Sequence, residues 1–283
     1  MPFMIELKFI TGGTAMKFTK LLIVVMIILS LIGLNTIFAF AKADIKLVLN
    51  GEICDLEEYE PYIDSNDRTM ISVRWVANQL NYDVDWNYNK RIAYIENSDI
   101  KVYIEAGNNK IYAPNKIVEM DTIAVIKNDR LFIPIRFLAE CFSLKVKWNA
   151  DTNTIYLFNP SKVLYDDTES KLGILIPQGF NKTDYKVEKN NYGQYSAISI
   201  YDSNTNGGLC TFFNFDIQYW NNEVKNDFPL IYYEVYKNES SIVFYALPSD
   251  VQYDPSNIQE KESYEKIFKS VEDICNSIYF YTN

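Results

Sequence analysis

Hydrophobic and polar positions divide the chain into three stretches. Residues 21–34 form an apolar run broken only by Ser30 and Gly33. From about residue 45 to 158, short alternating runs are interleaved with two helical stripes. Val73, Val76, Ala77 and Leu80 fall at i, i+3, i+4 and i+7, and so do Ile135, Leu138, Ala139 and Phe142. That spacing predicts one buried helical face in each case. Ser72 opens the first helix as an N-cap residue, and Pro134 opens the second as a first-turn proline. Val84 and Trp86 then alternate on a strand, as do Val146 and Trp148, which puts each Val and Trp on the side the helix must cover. A turn at 87–90 or 149–153 leads to a closing strand, at 92–95 or 154–158.

The two stripes belong to one repeated pattern. Asn66-Asp67-Arg68, Val73-Arg74-Trp75-Val76-Ala77 and Val84-x-Trp86-Asn87 recur 62 residues on as Asn128-Asp129-Arg130, Ile135-Arg136-Phe137-Leu138-Ala139 and Val146-x-Trp148-Asn149. The expected units span about 45–97 and 110–158. Neither stripe is large enough to stand alone, so the two are expected to share a core.

Beyond residue 161 the repeat stops. Strands are expected at 172–176, 197–201 and 209–215, with a hairpin at 230–236 and 242–247. Asp254-Pro255 is expected to cap a helix with Tyr264, Ile267, Phe268, Val271, Ile274, Cys275 and Ile278 on its buried face. The expected fold class is α+β: a duplicated strand–helix–hairpin domain over 45–159, then an antiparallel sheet with a C-terminal helix over 165–283.

Asn128-Asp129-Arg130, Pro134, Arg136-Phe137-Leu138-Ala139-Glu140 and Val146-x-Trp148-Asn149 resemble the copper amine oxidase N-terminal-like domain, also called a stalk domain, of exported bacterial proteins. The first copy departs from the pattern, with Ser72 in place of the proline and Asn78 in place of the glutamate. The resemblance implies an accessory, non-catalytic module.

Composition narrows the function further. The 283-residue chain has a formal net charge of −10 and no histidine. Three of its 27 basic and one of its 37 acidic residues precede Lys42, so the remainder carries 24 against 36, a net −12. Such a body repels phosphate backbones, which excludes nucleic acid as an expected partner. Without histidine the commonest general base and copper ligand are missing. Lys17 and Lys20 before the apolar run, and Ala39-Phe40-Ala41 after it, make residues 1–41 a secretory signal peptide. Cleavage is expected after Ala41, the true start at Met16, no membrane span after cleavage, and a secreted or cell-surface location.

Four motifs bear on chemistry. Asn81-Tyr82-Asp83 matches the tripeptide that amine oxidases convert to a quinone, but those enzymes hold copper with histidines. No copper or quinone activity and no cofactor are therefore expected. Asp202, Asn204 and Asn206 resemble the first half of a calcium-binding loop, while Phe213 stands where the bidentate ligand belongs, so a polar hairpin loop is preferred. Cys54, Cys141, Cys210 and Cys275 allow two disulfides or four buried thiols. Trp75 and Phe137 lie about 200° round their helices from Val73 and Ile135; they form a candidate aromatic contact surface, with packing against a neighbouring element preferred. The expected function is a non-catalytic binding or structural module for a cell-envelope glycan or another surface protein. The alternative is a secreted hydrolase using two carboxylates of the C-terminal domain.

Overall fold

The computed structural model describes residues 44–283 apart from 57–58, 99 and 283. The apolar run and the expected cleavage site lie outside the described residues. The chain is mostly β, with a few short helices.

The N-terminal half runs β1 (Lys46–Leu49), β2 (Glu52–Ile53), β3 (Tyr62–Ile63), β4 (Thr69–Ser72), α1 (Val73–Gln79), β5 (Asp83–Asn87), β6 (Ile92–Glu96), β7 (Lys101–Glu105), β8 (Lys110–Ala113), β9 (Lys116–Glu119), β10 (Val125–Lys127), β11 (Arg130–Pro134), α2 (Ile135–Cys141), β12 (Lys145–Asn149) and β13 (Thr154–Phe158). Both helices are seven residues long and follow a strand directly. The Ser72 hydroxyl accepts the Trp75 N–H at 3.5 Å. Pro134 takes the N-cap position rather than the first turn and supplies no side-chain cap. The strands before the helices, β4 and β11, pair antiparallel with each other. The strands after them form hairpins of the same register: Asp83–Asn87 against Ile92–Glu96, and Lys145–Asn149 against Thr154–Phe158.

The two halves of this region interlock. β1 pairs in parallel with β13, at the far end of the region, in a sheet ordered β12-β13-β1-β2. The other hairpin heads a sheet ordered β5-β6-β7-β8-β9. A single core joins Ile71, Val76, Ala77 and Ile95 to Ile133, Leu138 and Ile155. The two hairpin tryptophans differ from expectation: Trp86 and Trp148 are half-buried at the margin of this core, because each stands on an edge strand.

The C-terminal half runs β14 (Val163–Asp167), β15 (Leu172–Leu175), β16 (Tyr185–Asn191), β17 (Tyr195–Asp202), β18 (Gly208–Asp216), β19 (Tyr232–Lys237), β20 (Ser241–Ala246), α3 (Ile258–Phe268), α4 (Val271–Asn276) and β21 (Ile278–Phe280). Five strands form an antiparallel sheet in the order β16-β17-β18-β20-β19. The expected single helix is two, separated at Lys269–Ser270, and its cap is Asn257, whose side chain accepts the Glu260 N–H. Ile278 belongs to β21, which the helical pattern did not anticipate. The break is held from outside, since the Ser270 hydroxyl bonds the Ile267 carbonyl and the Tyr185 hydroxyl.

β21 pairs with β15 and carries Tyr279 and Tyr281 into a cluster with Phe158 and Leu175. The two halves meet there. The Asn149 side-chain amide donates to the Phe280 carbonyl at 3.1 Å, and the Thr282 N–H donates to the Trp148 carbonyl at 2.8 Å.

Candidate functional site

A concave feature lies between the β5–β6 and β10–β11 hairpins. It is a cleft of about 650 Å³. Its floor is apolar, from Val73, Ala93 and Leu131. One wall is the outer edge of β5 with the turn that follows. There Tyr88 is 84% exposed, and its ring meets Trp86 edge-on at 6.5 Å. Arg74, Arg91 and Arg130 line the cleft together with Asp85 and Asp129. Three guanidinium groups against two carboxylates give a local excess of positive charge in an acidic chain.

Each polar group has a definable place. Arg74 donates to the Val84 carbonyl at 3.2 Å. Arg130 lies over the Tyr59 ring at 4.8 Å. Asp85 accepts the N–H of Trp86 at 2.9 Å. Arg91 sits at the end of the turn with φ of 55°, and it makes no ion pair among the described residues. Aromatic faces beside guanidinium groups suit a ligand with flat or C–H-rich surfaces and an acceptor or acidic group.

The residues singled out from sequence fall elsewhere. Trp75 is buried at 5% exposure and belongs to the core, so it offers no contact surface. The two-turn helix α1 packs on β4, β5 and β11 together, which leaves no outer face at that position. Phe137 is half-buried against the same core, with the Arg136 guanidinium 5.9 Å from its ring. Tyr82 packs on Phe142 at 4.7 Å, between an Asn81 in a left-handed turn and β5. With no histidine in the chain, the donor set around it does not fit copper. Asp202 is fully buried, and its carboxylate accepts the Asn204 N–H at 3.0 Å and the Thr205 hydroxyl at 2.7 Å. It closes its own loop between β17 and β18, while Asn204 and Asn206 face outward. Sequence reasoning passed over Tyr88. The available signal was an aromatic residue in a polar turn where the other hairpin has Ala150.

The cysteines are reduced and mostly buried. Burial pushes the Cys141 thiol up to about 12. The neighbouring Cys275 thiol, as a hydrogen-bond partner, and burial together raise the Cys210 thiol as well. Cys54 is half-buried, and its partial burial raises the thiol. Thiols held protonated are poor nucleophiles. Native protein treated with an aromatic disulfide reagent at neutral pH is therefore expected to release one equivalent of thiolate, from Cys54, and four after unfolding. Rapid reaction of more than one thiol in the native state would contradict this burial.

Carboxylates with displaced acidities move one way. Partial burial pushes Asp64 up, but the N–H groups of Arg68 and Asn66 and the Arg68 guanidinium outweigh it and hold the group low. Burial of Asp167 is likewise outweighed by Lys189, at 2.6 Å, and the Ser170 hydroxyl. The Tyr236 hydroxyl and Asn238 amide lower Asp151, and Ser256 lowers Asp254. A carboxylic acid serving as a proton donor near neutral pH needs the opposite displacement.

Residues 48–157 match the family model for the copper amine oxidase N-terminal domain. No curated protein matches the chain.

Proposed function

We propose that the chain is an exported, non-catalytic binding or structural module acting at the cell surface or in secreted form. Its N-terminal domain consists of two copies of one unit, about 45–97 and 110–158. Its ligand is a cell-envelope glycan or another surface protein, bound in the cleft beside β5. The observation that carries this reading is the pairing of the exposed Tyr88 and half-buried Trp86 with an excess of guanidinium groups. The match of residues 48–157 to an accessory domain supports the non-catalytic part.

Export is tested by N-terminal sequencing of the protein recovered from producing cells. The expected mature terminus is Lys42. A cell-associated product that keeps residues 21–34 would overturn the export reading.

A further inference from the structure

The edges of β5 and β12 are built alike, and only one of them is covered. Both lead into a turn closed by an asparagine: the Asn87 side chain accepts the Lys90 N–H at 2.9 Å, and the Asn149 side chain accepts the Thr152 N–H at 3.0 Å. Both hairpins have the same register. On β12 the chain's own residues 280–282 lie along the edge. The Trp148 carbonyl accepts the Thr282 N–H at 2.8 Å and its hydroxyl at 3.3 Å. The Ala150 N–H donates to that hydroxyl at 3.1 Å, and the Asn149 amide donates to the Phe280 carbonyl at 3.1 Å.

On β5 the counterparts of these groups are the Trp86 carbonyl, the Tyr88 N–H and the Asn87 amide. None of the three has a hydrogen-bond partner among the described residues. The neighbouring outward groups are already satisfied, since Val84 accepts from Arg74 and the Trp86 N–H bonds Asp85. What stays open is the set that receives an extended segment on the other hairpin. Trp86 and Tyr88 line the cleft, and Asn87 lines the adjoining hollow with Asp83, Tyr94 and Glu96. An open sheet edge of this kind pairs readily with extended chain.

We propose that the β5 edge receives an extended segment of a partner polypeptide, of the pattern aromatic–aromatic–Thr or Ser. The carbonyl of its first residue meets the Asn87 amide. The N–H and hydroxyl of its third meet the Trp86 carbonyl and the Tyr88 N–H. Successive side chains of an extended segment alternate faces, so one of the two aromatic side chains lies against Trp86 and Tyr88. This deepens the binding reading above and rests on the cleft being the binding face.

The test uses the full chain, isotope-labelled, and a synthetic peptide copying residues 277–282. The β12 edge is filled by the chain's own tail, which leaves β5 as the open one of the two matching edges. Saturable shifts of the Trp86 indole and Asn87 side-chain amide signals are expected. Asn87→Asp keeps the oxygen that closes the turn and removes the donor, so it should weaken binding about tenfold with no loss of stability. The proposal is overturned by equal binding to Asn87→Asp, by shifts at Trp148 and Thr282 that signal exchange of the tail, or by no binding up to the solubility of the peptide. If the peptide fails while an envelope glycan binds through Tyr88, the cleft remains the binding face and strand addition alone is lost.

Discussion

Replacing Gly173 with alanine is expected to lower stability by roughly 3 kcal/mol or more, at or beyond the upper end of the usual cost of overpacking. Gly173 lies in β15 directly opposite Tyr279 of β21. A Cβ there would come within 1.9 Å of the Tyr279 ring and 2.2 Å of its hydroxyl. The ring has nowhere to go. It is 1% exposed and packs 4.8 Å from Phe158 and 5.8 Å from Tyr156. Expelling it would open the cluster through which the two halves of the chain meet. Urea unfolding followed by tyrosine and tryptophan fluorescence measures the loss. Tyr279→Phe is the control. The hydroxyl is buried without a well-aligned hydrogen-bond partner among the described residues, and the nearby Asp166 carboxylate is taken by the Tyr281 hydroxyl, so its removal should be neutral or stabilising by about 1 kcal/mol. A Gly173→Ala protein as stable as the parent would show that the close approach is absent.

Trp220→Ala is expected to cost about 3–5 kcal/mol, the range for emptying a large aromatic site. Trp220 is 1% exposed. Its ring stands 4.7 Å from Phe244, 5.2 Å from Phe215 and Tyr232, and 5.4 Å from Phe228. It sits on the short helical segment 217–224, whose start is fixed by Asp216 accepting the N–H groups of Gln218 and Tyr219. This segment covers one face of the five-stranded sheet, and Trp220 fills the space beneath it. Trp86→Ala should cost clearly less, because Trp86 is half-buried at the edge of its sheet. Equal midpoints for Trp220→Ala and Trp86→Ala in the same denaturation series would contradict that ranking.

Much of the N-terminal region was legible in the sequence because its signals are local. The i, i+3, i+4, i+7 stripes and the Val-x-Trp-Asn runs each lie within a dozen residues and fix helix faces and hairpin register. Helical geometry left Trp75 either on an outer face or packed against a neighbouring element, and only the assembled fold shows the two-turn helix enclosed by β4, β5 and β11. The alternation of Trp86 and Trp148 was read correctly as strand, but edge position decides burial, and edge position is a property of the whole sheet. In the C-terminal half the apolar stripe continues across the break between α3 and α4. The break depends on Ser270 and Tyr185, 85 residues apart. Strand β16, Tyr-Lys-Val-Glu-Lys-Asn-Asn, has too little apolar character to announce itself and is held by its long pairing with β17. The cleft was illegible for the same reason: the β5 and β10 hairpins that wall it are about forty residues apart.

The binding face is tested most directly by co-sedimentation of the purified chain with insoluble envelope material from cells that produce it, beside the double variant Tyr88→Ala, Arg91→Gln. Both side chains stand at the turn of the β5–β6 hairpin and line the cleft; Tyr88 is exposed and Arg91 makes no ion pair among the described residues, so the variant should unfold at the same temperature as the parent. The parent is expected to sediment with the envelope fraction, and the variant to bind about tenfold more weakly, as the loss of one aromatic contact and one charge-assisted contact implies. A parent that stays in the supernatant, or a variant that sediments equally well, would contradict a binding role for the cleft.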